Sequence, residues 1–377
     1  MPIDIISLGK KINRCRKNLA LELSDVSEKV GISIERLDEI ERGHIEPTGD
    51  EILIFADFYK QDYKYFISNE KLSATEQIEV LYRKFGDDFS KEDRWALQEF
   101  IYLCENEQEI LNYLEYENVN FSAPKYPNVY KSQGAETAEK LRQFLGYKND
   151  ELYSDLFSEF RKIGLHIFRR RLCNSKVSGL FIKHPNAGKC ILVNYDEDTY
   201  RQNFTLSHEV CHALLDDEFE FSVSFKNDND YREIRANNFA SSFLIPPSFI
   251  EKLRAVTWNE ELIVDVANQL KVNVQTLLIA LKSNNCIGKS QYERFMVLKI
   301  PRKQKEDFEL KGVSPTIIES KKTLLEKGLS TYYVRNCHEA YKNGHISSGR
   351  LAENLLVDES ELTSILDLFK LKLDYEY

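Results

Sequence analysis

The chain has 377 residues, which at about 150 residues per domain predicts two or three domains, each able to bury a hydrophobic core. It is 42% hydrophobic and 30% charged, with only 15 Gly and 9 Pro, and this composition excludes collagen-like, low-complexity and largely disordered proteins. The net charge of −10, from 51 basic and 61 acidic residues, argues against a protein that coats nucleic acid through its overall field.

Cysteine usage and hydropathy predict a cytoplasmic protein with no membrane partner. The seven cysteines are scattered, odd in number and never form a C-x-x-C pair, which argues against a disulfide framework and against a cysteine-rich zinc site. No stretch approaches the roughly 18 continuous apolar residues that a membrane span needs. The apolar run after Met1 is short and contains Asp4, so we expect no signal peptide.

The first third of the chain is predicted to be helical. Residues 7–66 carry apolar residues at helical spacing, with Gly31 and Gly43 at helix ends. Residues 70–118 continue as acidic amphipathic helices, and residues 121–128, with two prolines and no periodicity, predict a linker. We therefore predict a first domain over 1–69 and a helical connector with its linker over 70–130.

The middle of the chain changes pattern. Helices are predicted over about 135–146 and 150–163, and again over about 203–217 and 231–243, where Pro246 and Pro247 end the last one. Between the two pairs lie three β-like runs, at 165–168, 177–182 and 190–194. This order predicts a mostly helical α+β fold and not a repeating βαβ unit. The remaining predicted domains are 131–290 and a C-terminal helical domain over 291–377.

A weak internal similarity recurs three times, beginning at Val26, Val266 and Leu351. Each copy has apolar residues at positions one, five, seven and twelve, and a Ser, Asn or Asp able to cap the next helix. The pattern is typical of a generic packed corner between two helices. The first copy is also compatible with a helix-turn-helix.

One short segment has two histidines at a spacing that is typical of metal ligands on a helix. His208 and His212 are four residues apart, so on a helix their imidazoles lie one turn apart on one face and can bind one ion. Zn²⁺ suits two neutral imidazoles. Glu209, next to the first histidine, can take the proton of a water at the open coordination position. The ordinary alternative is two histidines on a core helix without a metal.

Two histidines and a water leave one protein ligand missing. Several acids that continue the same segment could supply it: Asp216, Asp217, Glu218 and Glu220. We prefer Glu233, because a second helix there would pack closely through the small residues Ala236 and Ala240 and present the carboxylate to the ion. A His, His, Glu set with one open position is a catalytic and not a structural zinc arrangement.

Two motifs around these residues are similar to a known family. The first runs over 201–212, preceded by Val177-Ser178-Gly179 and Val193-Asn194, and the second, E-x-x-A-N-x-F-A followed by L-x-P, starts at Glu233 and ends at Pro246. Residues from about 135 to 280 thus resemble the zincin-like ImmA/IrrE metallopeptidases. The resemblance implies His208, His212 and Glu233 as zinc ligands and Glu209 as catalytic base. Cys211 replaces the more usual Gly, and we expect it to tighten packing or, if oxidised, to block the site.

Residues 7–66 resemble the Xre-type helix-turn-helix of phage repressors, with a second helix over 22–29, a turn at Gly31, a cap at Ser33 and the exit Ile40-Glu41-Arg42-Gly43. The resemblance implies possible DNA contact through residues 1–66. However, these residues hold ten basic against thirteen acidic side chains, so DNA binding and protein docking both stay open. The candidate nucleic-acid or partner contacts are Arg14, Arg16, Lys17, Ser33, Arg36 and Arg42.

These observations predict a cytosolic zinc endopeptidase, directed by its helix-turn-helix, that cleaves a repressor-like or antitoxin-like protein in a stress, mobile-element or defence response. The alternative is a DNA-binding transcription regulator or antitoxin whose zinc domain is a sensor or an inactive scaffold. A homodimer is compatible with both. We expect the strand over 177–182 or 190–194 to hold the substrate by β-addition. Candidates for transition-state stabilisation, by residue type only, are His166, His184, Tyr195 and Tyr231.

Overall fold

The computed structural model describes residues 4–68, 81–82, 89–117, 119–124, 130–148, 150–153, 155–174, 176–216, 221–225 and 230–373. The chain divides into two compact units. The first comprises 1–106 with 172–174 and 184–186, and the second comprises 107–171, 175–183 and 187–377. The three boundaries between the four predicted domains do not coincide with this division and stay predictions.

The first unit begins with short helices around their own core. Asp4 caps the first helix and Thr48 caps the fourth, each by accepting backbone N–H groups. Leu8, Leu37 and Phe55 are fully buried in this core. Residues 7–66 are therefore helical, as predicted, while their assignment as a helix-turn-helix stays a prediction. The helices are α1 (Ile5–Asn18), α2 (Leu23–Val30), α3 (Ile34–Glu41), α4 (Gly49–Phe58) and α5 (Tyr63–Ile67).

Within the described ranges, three further helices with assigned bounds precede a four-stranded sheet, and the division between the units falls within the first of them. The strands lie in the order β1-β3-β2-β4, with β1 parallel to β3 and β4 antiparallel to β2. The sequence predicted three of these strands and missed β4. The helices are α6 (Lys91–Tyr113), α7 (Tyr130–Phe144) and α8 (Leu156–Arg161), and the strands are β1 (Leu165–Arg170), β2 (Val177–His184), β3 (Gly188–Asn194) and β4 (Phe221–Phe225).

The sheet order corrects the expected site of β-addition. β2 lies between β3 and β4, and β3 lies between β1 and β2. A strand with neighbours on both sides has its ladder groups occupied and cannot accept an additional strand. The prediction that 177–182 or 190–194 holds an extended substrate in this way is therefore wrong. The edges of the described sheet are β1 and β4.

Helices follow β3, and β4 lies in the chain between the first two of them. Asp198 caps α9 by accepting the backbone N–H of Arg201 at 3.0 Å, and α9 packs on β3 and α10. At Gly134 of α7, an added Cβ would lie 2.3 Å from the Arg235 carbonyl oxygen, so this glycine allows α7 and α10 to approach closely. The helices are α9 (Thr199–Leu215), α10 (Tyr231–Leu244), α11 (Pro247–Lys252), α12 (Glu260–Gln269), α13 (Val274–Ser283), α14 (Lys289–Phe295), α15 (Ile318–Glu326), α16 (Thr331–Lys342), α17 (Ser348–Asn354) and α18 (Leu362–Leu368).

The three internally similar segments share a backbone feature. The sixth residue of each copy has a left-handed conformation, with φ of 71° at Gly31, 53° at Lys271 and 53° at Leu356. The residue at position twelve of each copy (Leu37, Leu277 or Leu362) is fully buried. A packed helix corner with one left-handed residue therefore accounts for all three copies.

The mostly helical α+β class predicted for the chain is confirmed. Within the parts of the chain described above, no helix is both long and apolar enough to cross a membrane. Cys15, Cys190, Cys211, Cys286 and Cys337 are free thiols.

Candidate metal centre

Two adjacent helices bring three side chains to one point. His208 and His212 project from α9, and their Nε2 atoms are 3.1 Å apart. Glu233, in the first turn of α10, places one carboxylate oxygen 3.0 Å from His208 Nε2 and the other 3.2 Å from His212 Nε2. All three residues are buried. Among the described residues, they are the group of His, Cys, Asp and Glu side chains that can hold a metal ion.

The spacing of these atoms fits one small divalent cation. Two ligand atoms on a tetrahedral ion with bonds of about 2.05 Å are separated by about 3.3 Å, close to the 3.0–3.2 Å found here. Two imidazoles and one carboxylate are also a donor set that binds zinc and related transition metals. The three side chains therefore fit a metal ion with three protein ligands.

Of the alternative third ligands, Asp216 has another role. Its Oδ2 lies 2.8 Å from Nδ1 of His212, on the side of the ring away from Glu233, and its Oδ1 accepts a hydrogen bond from Arg235. Arg235 in turn donates to Gln133 of α7 at 3.3 Å. Asp216 thus orients the His212 ring. The other three alternatives, Asp217, Glu218 and Glu220, lie outside the described residues.

The second histidine ring is held in the same manner. Nδ1 of His208 lies 3.1 Å from Oδ1 of Asn237, one turn after Glu233 on α10. Because Nδ1 of each ring is occupied, the Nε2 atoms of both rings are directed to the shared point. Asn237 belongs to the second sequence motif, but the motif alone does not indicate this role.

Burial and neighbouring groups set the protonation of the site. Burial lowers the pKa of His208. Burial also disfavours the charged form of His212, but hydrogen bonds to Asp216 and Glu233 outweigh it and raise the pKa of this ring to about 9. For Glu233, hydrogen bonds to both histidines outweigh burial and hold the carboxyl pKa well below its usual value. The Glu233 carboxylate is therefore ionised and ready to bind a cation.

Glu209 differs from Asp216 and Glu233 because its buried carboxylate oxygens make no hydrogen bond to the described residues. Its side chain is fully buried, and neither carboxylate oxygen has a hydrogen-bond partner among the described residues. Burial raises its pKa to about 8, although His212 opposes this shift. A buried ionisable group with a shifted pKa beside a cluster of ligands is typical of a catalytic acid or base.

Gly179 of β2 makes room for this carboxyl group. An added Cβ would lie 2.9 Å from Oε1 of Glu209 and 2.6 Å from the Thr205 methyl carbon. Any other side chain would displace one of the two. The sequence contains this glycine in the motif Val177-Ser178-Gly179, but the reason for it is visible only once β2 is packed against α9.

A cleft of about 600 Å³ opens on the metal centre. His208, Glu233 and Asn237 line it, together with other polar residues such as Ser178 and Arg201. Its size is within the range of ligand pockets, about 300–1,000 Å³. The cleft therefore gives a substrate access to the ligand cluster.

None of the four residues predicted to stabilise a transition state lines the described cleft. His166 is buried, with Nδ1 2.6 Å from a carboxylate oxygen of Glu107 and Nε2 3.0 Å from Gln108. Burial raises the pKa of Tyr195 to about 12, and Tyr231 is 70% exposed. His184 is 2% exposed. Residue type alone was therefore a poor guide to these positions.

Cys211 lies in the core beside the site. It is fully buried within α9, and burial raises its thiol pKa far above the ordinary value. A buried thiol with a raised pKa is chemically inert. Its position agrees with the packing role expected for it and not with easy oxidation.

Three of the six candidate contact residues in the first unit form ion pairs with acidic side chains. Arg16 is 9% exposed and donates to both carboxylate oxygens of Glu41 at 2.7 Å. Arg36 binds Glu51 at 2.5 and 2.8 Å, and Arg42 binds Asp38 at 3.0 Å. Arg16 is therefore poorly placed to contact a partner. The side chain of Ser33 caps α3, Arg14 is partly buried, and Lys17 is exposed.

Part of the chain matches a known protein family. Residues 160–282, about a third of the 377, match the Peptidase_M78 family, described as the IrrE N-terminal-like domain. No curated protein matches the chain. The matched range contains β1 to β4, the metal centre and all but two of the residues that line the cleft. It supports an ImmA/IrrE-type domain over these residues and indicates a metal-dependent peptidase.

Proposed function

We propose that the chain is a zinc-dependent endopeptidase in which His208, His212 and Glu233 hold the metal and Glu209 is the catalytic base. One observation carries this proposal: three ligand atoms converge beside a buried carboxyl group that has no partner, at the wall of an open cleft. A structural zinc site would be closed by a fourth protein ligand, and none of the described residues supplies one here.

The chain's own residues would divide the reaction between them. Zinc bound at the three ligands would polarise the scissile carbonyl and acidify a water. Glu209 would accept the proton of the attacking water and pass it to the leaving amine. Bound zinc would place a positive charge beside Glu209 and favour the ionised carboxylate that a general base needs. Asp216 and Asn237 would hold the two rings in place.

The substrate we propose is a regulatory protein of the repressor or antitoxin class, cleaved in a stress, mobile-element or defence response. Its support is the resemblance to ImmA/IrrE proteins and the accessible cleft, whose wall combines polar residues with apolar ones such as Ile245 and Ile279. Such a lining suits an extended polypeptide better than a small charged metabolite.

We assign the N-terminal helices a docking role toward this protein in preference to DNA. Arg16, Arg36 and Arg42 are paired with acids, which reduces the positive charge needed to neutralise phosphates. Ile34 of α3 and Leu53 of α4 are exposed apolar residues, which favour protein contact. Salt-dependent binding of the chain to the DNA upstream of its own gene in a mobility-shift assay would contradict this assignment.

The test of the peptidase proposal is Glu209→Gln in the full chain. Wild-type protein loaded with one equivalent of zinc should generate new amino termini in a peptide library, as detected by mass spectrometry. Glu209→Gln should keep its zinc and lose cleavage by about a thousandfold. The matched control is Glu251→Gln, an exposed glutamate of the same family match, which should cleave as wild type does.

Three outcomes would overturn the peptidase proposal. If Glu209→Gln cleaves as fast as the wild type, Glu209 is not the base. If wild-type protein retains no zinc, or if His208→Ala retains as much, the three residues are not the metal site. A cellular phenotype that survives Glu209→Gln would favour the alternative in which the metal domain is a sensor or a scaffold.

A further inference from the structure

A second cavity lies in the C-terminal part of the second unit. Its volume is about 760 Å³, and residues of α8, α15, α16 and the segment after α18 line it. No residue lines both this cavity and the cleft of the metal centre. Its size is again that of a ligand pocket. The proposed peptidase mechanism uses none of its residues.

The lining of this cavity is basic, although the whole chain is acidic. Five Lys or Arg residues and three Asp or Glu residues line it, whereas the chain has a net charge of −10. One of the acids, Asp155, is occupied by the backbone N–H groups at the start of α8. Another, Glu309, accepts the backbone N–H of Thr331 at 3.1 Å and lies 3.7 Å from Lys321. The remaining charge of the lining is positive.

Two buried N–H donors at this cavity have no acceptor. Asn336 is 9% exposed, and its amide nitrogen has no hydrogen-bond partner among the described residues. Nε of Arg161 is also buried without a partner, whereas its Nη2 donates to the Ile167 carbonyl at 2.7 Å. Buried donors are almost always paired in native proteins, so an unpaired donor at a cavity wall indicates a missing acceptor.

Aromatic rings stand beside these donors. The Arg161 guanidinium lies 4.6 Å from the centre of the Tyr332 ring, and Phe308 and Phe369 also line the cavity. Arginine with nearby aromatic faces is well suited to an anion that is joined to a flat ring. Arg335, which is exposed at the rim, adds a second guanidinium.

We propose that this cavity binds a small phosphorylated ligand with an aromatic ring, of the nucleotide class. Its phosphate takes the hydrogen bonds of Arg161, Arg335 and Asn336. Its ring packs against the aromatic wall. The ligand would bind independently of the metal, because the two pockets share no lining residue.

Isothermal titration of the full chain with AMP and ADP tests the proposal, with adenosine and inorganic phosphate as probes of the two halves of the ligand. AMP or ADP should bind with a Kd below about 1 mM. Adenosine and inorganic phosphate should each bind at least about tenfold more weakly. Arg335→Ala and Asn336→Leu should each weaken nucleotide binding by at least about tenfold. Lys342→Ala, an exposed basic residue on α16 that does not line the cavity, is the matched control and should not change the Kd.

Three results would overturn the proposal. The first is the absence of AMP and ADP binding by the wild type. The second is binding of inorganic phosphate as tight as that of ADP, which would remove the ring from the ligand. The third is wild-type affinity in Arg335→Ala. Since Arg335 is exposed, its substitution should leave the fold intact, and circular dichroism checks this for both variants.

Discussion

Two buried glutamates of this chain have opposite surroundings. Glu41, in the first unit, is 7% exposed and accepts hydrogen bonds from Arg16 at 2.7 Å and from Asn13. Glu209, in the second unit, is fully buried, and both of its carboxylate oxygens lack a hydrogen-bond partner among the described residues. Both residues are buried glutamates, but only Glu41 accepts hydrogen bonds from a cationic side chain.

This difference in hydrogen bonding distinguishes a carboxylate that stabilises the fold from one that is suited to catalysis. Burying a charge is unfavourable unless it is paired, so a compensated carboxylate such as Glu41 adds specificity to the packing of α1 against α3. An uncompensated carboxyl such as Glu209 lowers stability and persists where its chemistry is needed. The environment of each acid, and not its burial alone, therefore indicates which one is functional.

Glu41→Gln should have the largest effect on stability. Removing one partner of a buried ion pair leaves Arg16 uncompensated, and we expect a loss of about 3 kcal/mol in the free energy of opening of α1 to α3. Hydrogen exchange of these helices in the full chain measures it. Glu46→Gln, an exposed glutamate of the same unit, is the control and should leave exchange unchanged. Zinc content should not change in either variant.

Glu209→Gln completes this comparison. The amide removes an ionisable group that has no partner, so the exchange of α9 should be as slow as in the wild type or slower. An increase in exchange as large as that in Glu41→Gln would show that Glu209 is compensated in solution. The distinction between the two glutamates would then fail.

Asp216→Asn should have the next largest effect, on metal affinity. The asparagine cannot supply the negative charge that orients His212 and raises its basicity, so we expect zinc affinity to fall about 10- to 100-fold. Competition with a chromophoric chelator measures this change. Asp265→Asn, an exposed acid on α12, is the control. Unchanged affinity in Asp216→Asn would mean that Arg235, and not the metal centre, is the significant partner of Asp216.

Sequence reasoning worked best where the chemistry is local. His208 and His212 share a helical face because they are four residues apart, and the two helices of the site were predicted to within a few residues. The placement of Glu233 followed from a motif and from small residues that allow close packing. By contrast, the five residues of β4 form a strand only through pairing with β2, a contact between distant parts of the chain.

Contacts between residues that are distant in sequence also explain the ion pairs that the sequence did not predict. Arg16 was a candidate for partner contact, but it binds Glu41, which is 25 residues away. Arg36 likewise binds Glu51, 15 residues away. Such pairs depend on how the helices pack. The sequence shows which residues are charged but not which of them form an ion pair. The role of Gly179 was hidden for the same reason, since only the packed structure places Glu209 against it.

Gly179→Ala should have a moderate effect that is confined to activity. The added methyl group must displace Glu209 or Thr205 by a fraction of an ångström, so we expect peptide cleavage to slow by about tenfold while zinc is retained. Gly288→Ala is the matched control, because an added Cβ there has no atom within 4 Å and the backbone is not left-handed. Full activity in Gly179→Ala would mean that Glu209 tolerates displacement and is not a precisely placed base.

The smallest effect on activity is expected from thiol alkylation. The reactivity of the buried Cys211 can be compared directly with that of the exposed Cys173. Its thiol is buried and has a raised pKa, so it should resist alkylation by iodoacetamide, whereas the exposed Cys173 should react readily. Peptide mass spectrometry after a short exposure distinguishes the two. Because nothing reaches Cys211, alkylated protein should keep its zinc and its activity. Rapid labelling of Cys211 would show that α9 opens in solution, and the site would then be exposed to oxidation after all.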